Sequence, residues 1–349
     1  MRLPLGSIAR QLVGSDMPLA SAPSTADPHG EGGIRPAFSS GMRRLPFRLA
    51  LSIGKLLLSG GLVGYLLYHH GLNLERLERI DPILGPTAMA AIVLQIPLAT
   101  IRWRVILTHI SGTNPPYRQW FCIYYASAFF AQVLPSIGGD LARILYARTL
   151  GATSGSIVIS VLLDRGVALL VLLLVALPSL VFLAPFDPRH VVIRSIGIVA
   201  AGGLAAAYGG CLMARANWGS RMWAGLPQWA RTLIANCDWS LTSRTGLRCL
   251  IPLSALVHVL SIVAIFLTAR AVQVPLTLSM VLAIGPVVVL AHVLPISIGG
   301  WGVREAAAVT LLAMAGVDAT SALLVSITFG ILIFLATLPG VLFWLMLRD

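Results

Sequence analysis

Apolar residues in this chain arrive in long unbroken stretches, not at the spacing of a helix with one wet face or of a half-buried strand. Runs near 49–68, 83–101, 157–183, 191–213, 250–271 and 318–347 each reach or approach the roughly 20 residues a helix needs to cross a bilayer. Two further runs, 119–134 and 276–294, end in helix-breaking residues. Backbone N–H and C=O groups find no partner in hydrocarbon, so each run must satisfy its own as a helix. The pattern predicts an all-α polytopic membrane protein.

The two interrupted runs say nearly the same thing. Val133-Leu134-Pro135-Ser136-Ile137-Gly138-Gly139-Asp140 is echoed by Val293-Leu294-Pro295-Ile296-Ser297-Ile298-Gly299-Gly300-Trp301, and an arginine follows each, Arg143 and Arg304. Matching interruptions in two halves of a membrane protein point to a binding site near the bilayer midplane. The repeat motifs occupy 119–166 and 276–330.

Loop charges choose the topology. If every apolar run spanned, the segment carrying Arg215, Arg221, Arg231, Arg244 and Arg248 against Asp238 alone would face outward, against the positive-inside bias. If instead 119–150 enters the membrane and returns, the basic loops 102–118 and 214–249 both face the cytoplasm, and 276–315 enters from the opposite side. The expectation is about six full spans plus two inverted re-entrant helical hairpins related by an internal repeat. Trp218, Trp223, Trp229 and Trp239, interleaved with arginine, place the 214–249 segment on the cytoplasmic leaflet as short amphipathic pieces.

Composition sharpens this reading. With 57% hydrophobic and 11% charged residues, the chain has too little polar surface to be an ordinary soluble domain. Residues 1–47 differ, being rich in Pro, Gly, Ser and Ala, with Arg2, Arg10, Arg35, Arg43 and Arg44. They read as a disordered basic tail held on the cytoplasmic side, ahead of a single integral-membrane domain over 48–349. Met1 and Met42 are both candidate starts. The net charge of +12 is spread over the ends of apolar runs, not gathered on one soluble face, so an anionic membrane lipid, and not nucleic acid, is the expected partner. Cys122, Cys211, Cys237 and Cys249 lack metal-ligand spacing, and neither a metal nor a cofactor is expected.

Broken backbone inside a bilayer is tolerated only against protein or a wet cavity, so Pro135, Gly138, Gly139, Pro295, Gly299 and Gly300 are expected to line one. Short helices near 140–150 and 303–315 would point their N-termini into it, where free N–H groups favour anions. Asp140 is placed to cap the first. Arg143 and Arg304, in first turns, oppose the macrodipole unless an anion sits beside them, and a phosphate would meet that need. Asp164 and Arg165 interrupt another apolar run, and Glu305 adjoins Arg304. Intramembrane ionisable residues are costly and face a cavity or each other. Neighbours on a helix point about 100 degrees apart, so Asp164 should meet an arginine from a hairpin, and Arg165 a carboxylate or a ligand phosphate. His258 and His292 read as hydrogen-bonded packing residues, and Arg102 and Arg104 as interfacial anchors that snorkel.

VLPSIGGDLAR, LLDRG and PISIGGWGVREAA, in this order and spacing, resemble the flippase-like family of lysylphosphatidylglycerol synthase transmembrane domains, over about residues 45–347. The resemblance implies a lipid-handling membrane domain with Asp140, Arg143, Asp164, Arg165, Arg304 and Glu305 at the motif positions. It does not imply lysine transfer, which belongs to a separate soluble module, and the chain reads as a stand-alone member ending after its last span. The expected function is a transporter or flippase moving an anionic lipid or lipid-linked headgroup across a bacterial-type inner membrane. Two alternatives stay open: an integral-membrane transferase acting on a lipid phosphate, and a non-catalytic partner presenting lipid to an enzyme. The transferase lacks any recognisable catalytic constellation beyond three scattered carboxylates, which weighs against an enzyme.

Overall fold

Every apolar run closes into helix, as hydrocarbon requires. The computed structural model describes residues 45–71, 75, 80–134, 138–183, 191–215, 225–293 and 296–347, and the elements among them are all helical. Contacts separate residues 1–53 from residues 54–349. Of the first unit only the opening of α1 (Leu45–His70) is described, so the expected tail lies outside the described residues up to 44.

The second unit continues with α2 (Leu84–Ser111), α3 (Tyr117–Val133), α4 (Gly138–Ala147) and α5 (Ser154–Ala176). After these come α6 (Ser179–Leu183), α7 (Val191–Arg215), α8 (Gln228–Thr242) and α9 (Ile251–Ala271). α10 (Leu278–Val293), α11 (Val303–Met314), α12 (Ala319–Thr337) and α13 (Gly340–Leu345) complete it. Among the described residues, five helical stretches are long and apolar enough to cross a membrane: Leu84–Ser111, Ser154–Phe182, Arg194–Leu212, Gly246–Ala271 and Ala319–Leu345. The sixth expected crossing falls on α1, whose side chains before Gly54 lie outside the described residues.

One boundary differs from expectation. α2 does not stop near 101 but runs to Ser111, where Gly112 turns left-handed at φ 70° and its N–H donates to the Thr108 carbonyl at 2.9 Å. The expected basic loop over 102–118 is therefore mostly helix, and Arg102 lies inside a span. Within 214–249, α8 accounts for 228–242 and packs on α7 and α5, while Trp218 and Trp223 lie outside the described residues. Trp239 stacks on His109 at 3.6 Å between ring centroids, and Trp229 is exposed.

In both interrupted runs the helices on either side of the interruption pack against each other as a hairpin. α3 packs back on α4, and α10 on α11. Their longer arms have 17 and 16 residues. At about 1.5 Å per residue, each arm falls short of a hydrocarbon core of roughly 30 Å. Hydrophobic attraction between helices is weak in lipid, so close packing has to hold the arms together. A Cβ at Gly139 would sit 2.5 Å from the Ser127 carbonyl oxygen and 2.8 Å from Ala131 Cβ, which shows how closely α4 lies on α3. In the second hairpin the turn is built from Gly299, Gly300 and Gly302, with φ of 54°, 76° and 87°, a region side chains disfavour.

α9 lies along α2, α5 touches both, and α12 packs against α2, α3, α9 and α11. The largest apolar cluster joins α9 to α12 through Ile262, Ile265, Ile284, Val288, Leu312 and Leu323. A second gathers Trp103, Trp120, Ile123 and Ile157 around the first hairpin, with the two indoles edge to face at 5.2 Å. That aromatic wall backs the polar site.

Candidate functional site

α5 carries Asp164 into the protein at 1% exposure. A buried carboxylate is stable only when its oxygens are paired and hydrogen-bonded. Asp164 Oδ1 accepts from Arg102 Nε at 2.7 Å, and Oδ2 accepts from Arg143 Nη1 at 2.8 Å. Arg102 Nη1 donates on to Ser254 Oγ at 3.2 Å, tying α9 to the cluster. The Arg143 guanidinium lies over the Tyr124 ring at 4.6 Å and the Trp103 ring at 5.2 Å, where the aromatic faces favour a cation. Trp103 is itself fixed by donating from Nε1 to Ser160 Oγ at 3.1 Å.

Asp140 forms the outer layer. Its Oδ1 accepts from Arg143 Nη2 at 3.1 Å, and from Arg165 Nε and Nη2 at 3.3 and 3.2 Å. The Arg165 side chain is 43% exposed, against 4% for Arg143. Arg102, Tyr124, Asp140, Arg143, Asp164 and Arg165 all line one cavity of about 180 Å³, which α9 and the end of α10 also border through His258 and Val293. Three guanidiniums face two carboxylates there, leaving one positive charge in excess.

Sequence reasoning placed most of this cluster. Asp164 meets an arginine from a hairpin, Arg143, and Arg165 meets a carboxylate, Asp140, as expected. Three expectations need correction. Asp140 is not the cap of α4 but its third residue, because close packing on α3 lets Gly138 and Gly139 enter the helix. Arg102 is no snorkelling anchor: it is 4% exposed and paired with Asp164. The signal was present, since Val105, Ile106 and Leu107 resume the apolar run beyond it. Arg143, finally, faces resident carboxylates, Asp164 and Asp140, where a ligand anion alone was expected.

The second motif is built differently. Arg304 and Glu305 are both fully buried and pair with each other through Nε and Nη2 to Oε1. Glu305 Oε2 accepts from the Gly302 N–H at 2.6 Å, closing the start of α11, and Ser326 Oγ donates weakly to Oε1 at 3.4 Å. The Arg304 guanidinium lies over Trp301 at 4.8 Å and against Gly330, where any Cβ would strike it. Neither residue lines the cavity described above.

Of the glycines and prolines expected at the site, Gly139 lines the cavity and Gly138 is buried beside Leu134. Gly299 abuts Gln132 and Gly300 abuts His292. Pro135 and Pro295 lie outside the described residues. His258 Nε2 bonds the Ala168 carbonyl at 2.8 Å, in keeping with a packing role.

A helical polytopic membrane protein with a buried arginine–aspartate cluster beside a broken helix is the class that this fold and site define. Residues 52–340 match the family model of the lysylphosphatidylglycerol synthase TM region, and the chain belongs to that family. The family links it to lipid modification or transport at a membrane. No match is found among curated proteins.

Proposed function

We propose that the chain is a flippase-like lipid transporter that receives the charged end of an anionic lipid in the cavity beside the first hairpin and passes it between leaflets of a bacterial-type inner membrane. The observation that supports it most is the excess positive charge of the cluster, presented at the cavity by the half-exposed Arg165. An isolated charge in hydrocarbon costs tens of kcal/mol by Born solvation, so a polar path with a matching counter-charge is what a headgroup needs. Acyl chains would stay in lipid while the phosphate rests among Arg165, Arg143 and the first turn of α4. In this reading the two hairpins are re-entrant and enter from opposite faces, the N-terminus is cytoplasmic, and the basic stretch around α8 lies on the cytoplasmic leaflet.

Purified protein in liposomes carrying fluorescent phosphatidylglycerol tests the reading. Exchange of the labelled headgroup between leaflets, without chemical change, is the expected result. A chemically altered lipid would favour a transferase, and no movement in protein-containing vesicles would leave lipid presentation to a partner enzyme as the better reading.

A further inference from the structure

The cluster divides into a fixed half and a loose half. Asp164 is buried, uses both oxygens and makes its ion pairs at 2.7 and 2.8 Å. Asp140 is 15% exposed, and all three of its arginine contacts converge on Oδ1 at 3.1 to 3.3 Å. A guanidinium presents a planar fork that a carboxylate or phosphate can satisfy with two separate oxygens. Arg165 has that fork occupied by a single oxygen of Asp140, in the poorer of the two possible arrangements. Arg143, which lines the same cavity at 3% exposure, keeps its buried Nε without a partner among the described residues. Donors are thus available around Asp140 that its carboxylate does not use.

We propose that Asp140 is a resident stand-in for the headgroup phosphate, displaced from Arg165 when the phosphate arrives, while Asp164 keeps Arg102 and Arg143 in place. The inference rests on the lipid-binding reading above and adds to it a specificity-determining role for Asp140. Displacement also explains why a carboxylate stands beside the cationic site. With no lipid bound, Asp140 keeps Arg165 from being an unpaired charge at the membrane interior. With phosphate bound, two oxygens replace one on the Arg165 fork, and a headgroup without an anionic oxygen pair has nothing to offer in exchange. Occupancy is therefore a competition between an internal carboxylate and an external anion.

Binding of water-soluble dihexanoyl phosphatidylglycerol to the full chain in detergent tests this by calorimetry, with Asp140→Asn, Arg165→Gln and the double variant. Asn keeps the size of the side chain but loses the charge, so Asp140→Asn should bind the lipid roughly five- to tenfold more tightly, the factor expected when a competing ion pair of about 1 kcal/mol is removed. Arg165→Gln should weaken binding, and in its background Asp140→Asn should give no gain, a coupling that a merely structural role would not produce. If Asp140→Asn binds equally or more weakly while Arg165→Gln loses binding, the displacement idea is overturned and the binding site stands. If Arg165→Gln binds like the parent chain, the lipid-site reading itself fails. Loss of folding in Asp140→Asn would likewise overturn the proposal, because a stand-in that can be displaced cannot be indispensable to the fold.

Discussion

Asp164 and Arg102 are 62 positions apart in the chain and 2.7 Å apart in the structure. Their pairing joins α5 to α2, and Arg143 on the other carboxylate oxygen brings the first hairpin to the same point. Three elements are thus pinned by one buried carboxylate. Replacing Asp164 with Ala leaves Arg102 buried without its counter-charge and Arg143 with Asp140 alone, a change that typically costs about 3–5 kcal/mol. A large drop in the thermal midpoint of the detergent-solubilised protein is expected, and an unchanged midpoint would show that the cluster does not hold the fold.

Arg304 and Arg165 should fail in different ways. Arg304 is fully buried and pairs with Glu305, so Arg304→Ala should destabilise by about 3–5 kcal/mol and lose activity through unfolding. Arg165 is partly exposed, so Arg165→Ala should shift stability by no more than about 1 kcal/mol while abolishing headgroup movement. Parallel unfolding and liposome assays separate the two outcomes. A stable but inactive Arg304→Ala protein would give the second motif a direct role in binding.

Gly330 lies directly beneath the Arg304 guanidinium. Adding one methyl there, as Gly330→Ala, overfills a packed contact and should cost about 1–3 kcal/mol. Among the described residues, no other part of the protein comes within 4 Å of where a Cβ on Gly61 in α1 would stand, and Gly61→Ala should stay within about 0.5 kcal/mol of the parent. Denaturant or thermal unfolding of the pair provides the comparison, and equal effects would refute the contact.

Asp81 supplies a pH signature outside the membrane spans. The backbone N–H groups of Leu84 and Ile83 donate to its Oδ1 at 2.9 and 2.8 Å and hold its carboxyl below the usual carboxylate range. A group depressed in the folded state stabilises fully above its unfolded value, about 3.9, and that contribution disappears as pH falls through the folded value. Asp81→Asn should therefore lessen the fall in thermal midpoint between neutral pH and pH of about 3. An identical fall in both proteins would remove Asp81 from the account.

Much of this was legible in the sequence because lipid leaves few choices. Long apolar runs had to be helices, and broken runs had to fold back on themselves or line a cavity. Asp164 had to find an arginine because a lone buried carboxylate is too costly. Arg102 was harder to read: a charge near the expected end of a run looks like an anchor, and only the helical continuation to Ser111 reveals that it lies inside. Near-identical motifs also suggested equal roles for Arg143 and Arg304. Their difference arises from partners elsewhere, since Asp164 comes to Arg143 from a distant helix, whereas Glu305 comes to Arg304 from the adjacent position. Sequence likeness marked where each run is interrupted but not the direction in which its arginine faces.

The end of α3 also meets the turn that follows α10. A Cβ on Gly299 would lie only 3.0 Å from the Gln132 side-chain oxygen and 3.3 Å from Gln132 Cα, so the end of α3 rests on the bare backbone of the opposite turn. A side chain at 299 would push the end of α3 away from that turn.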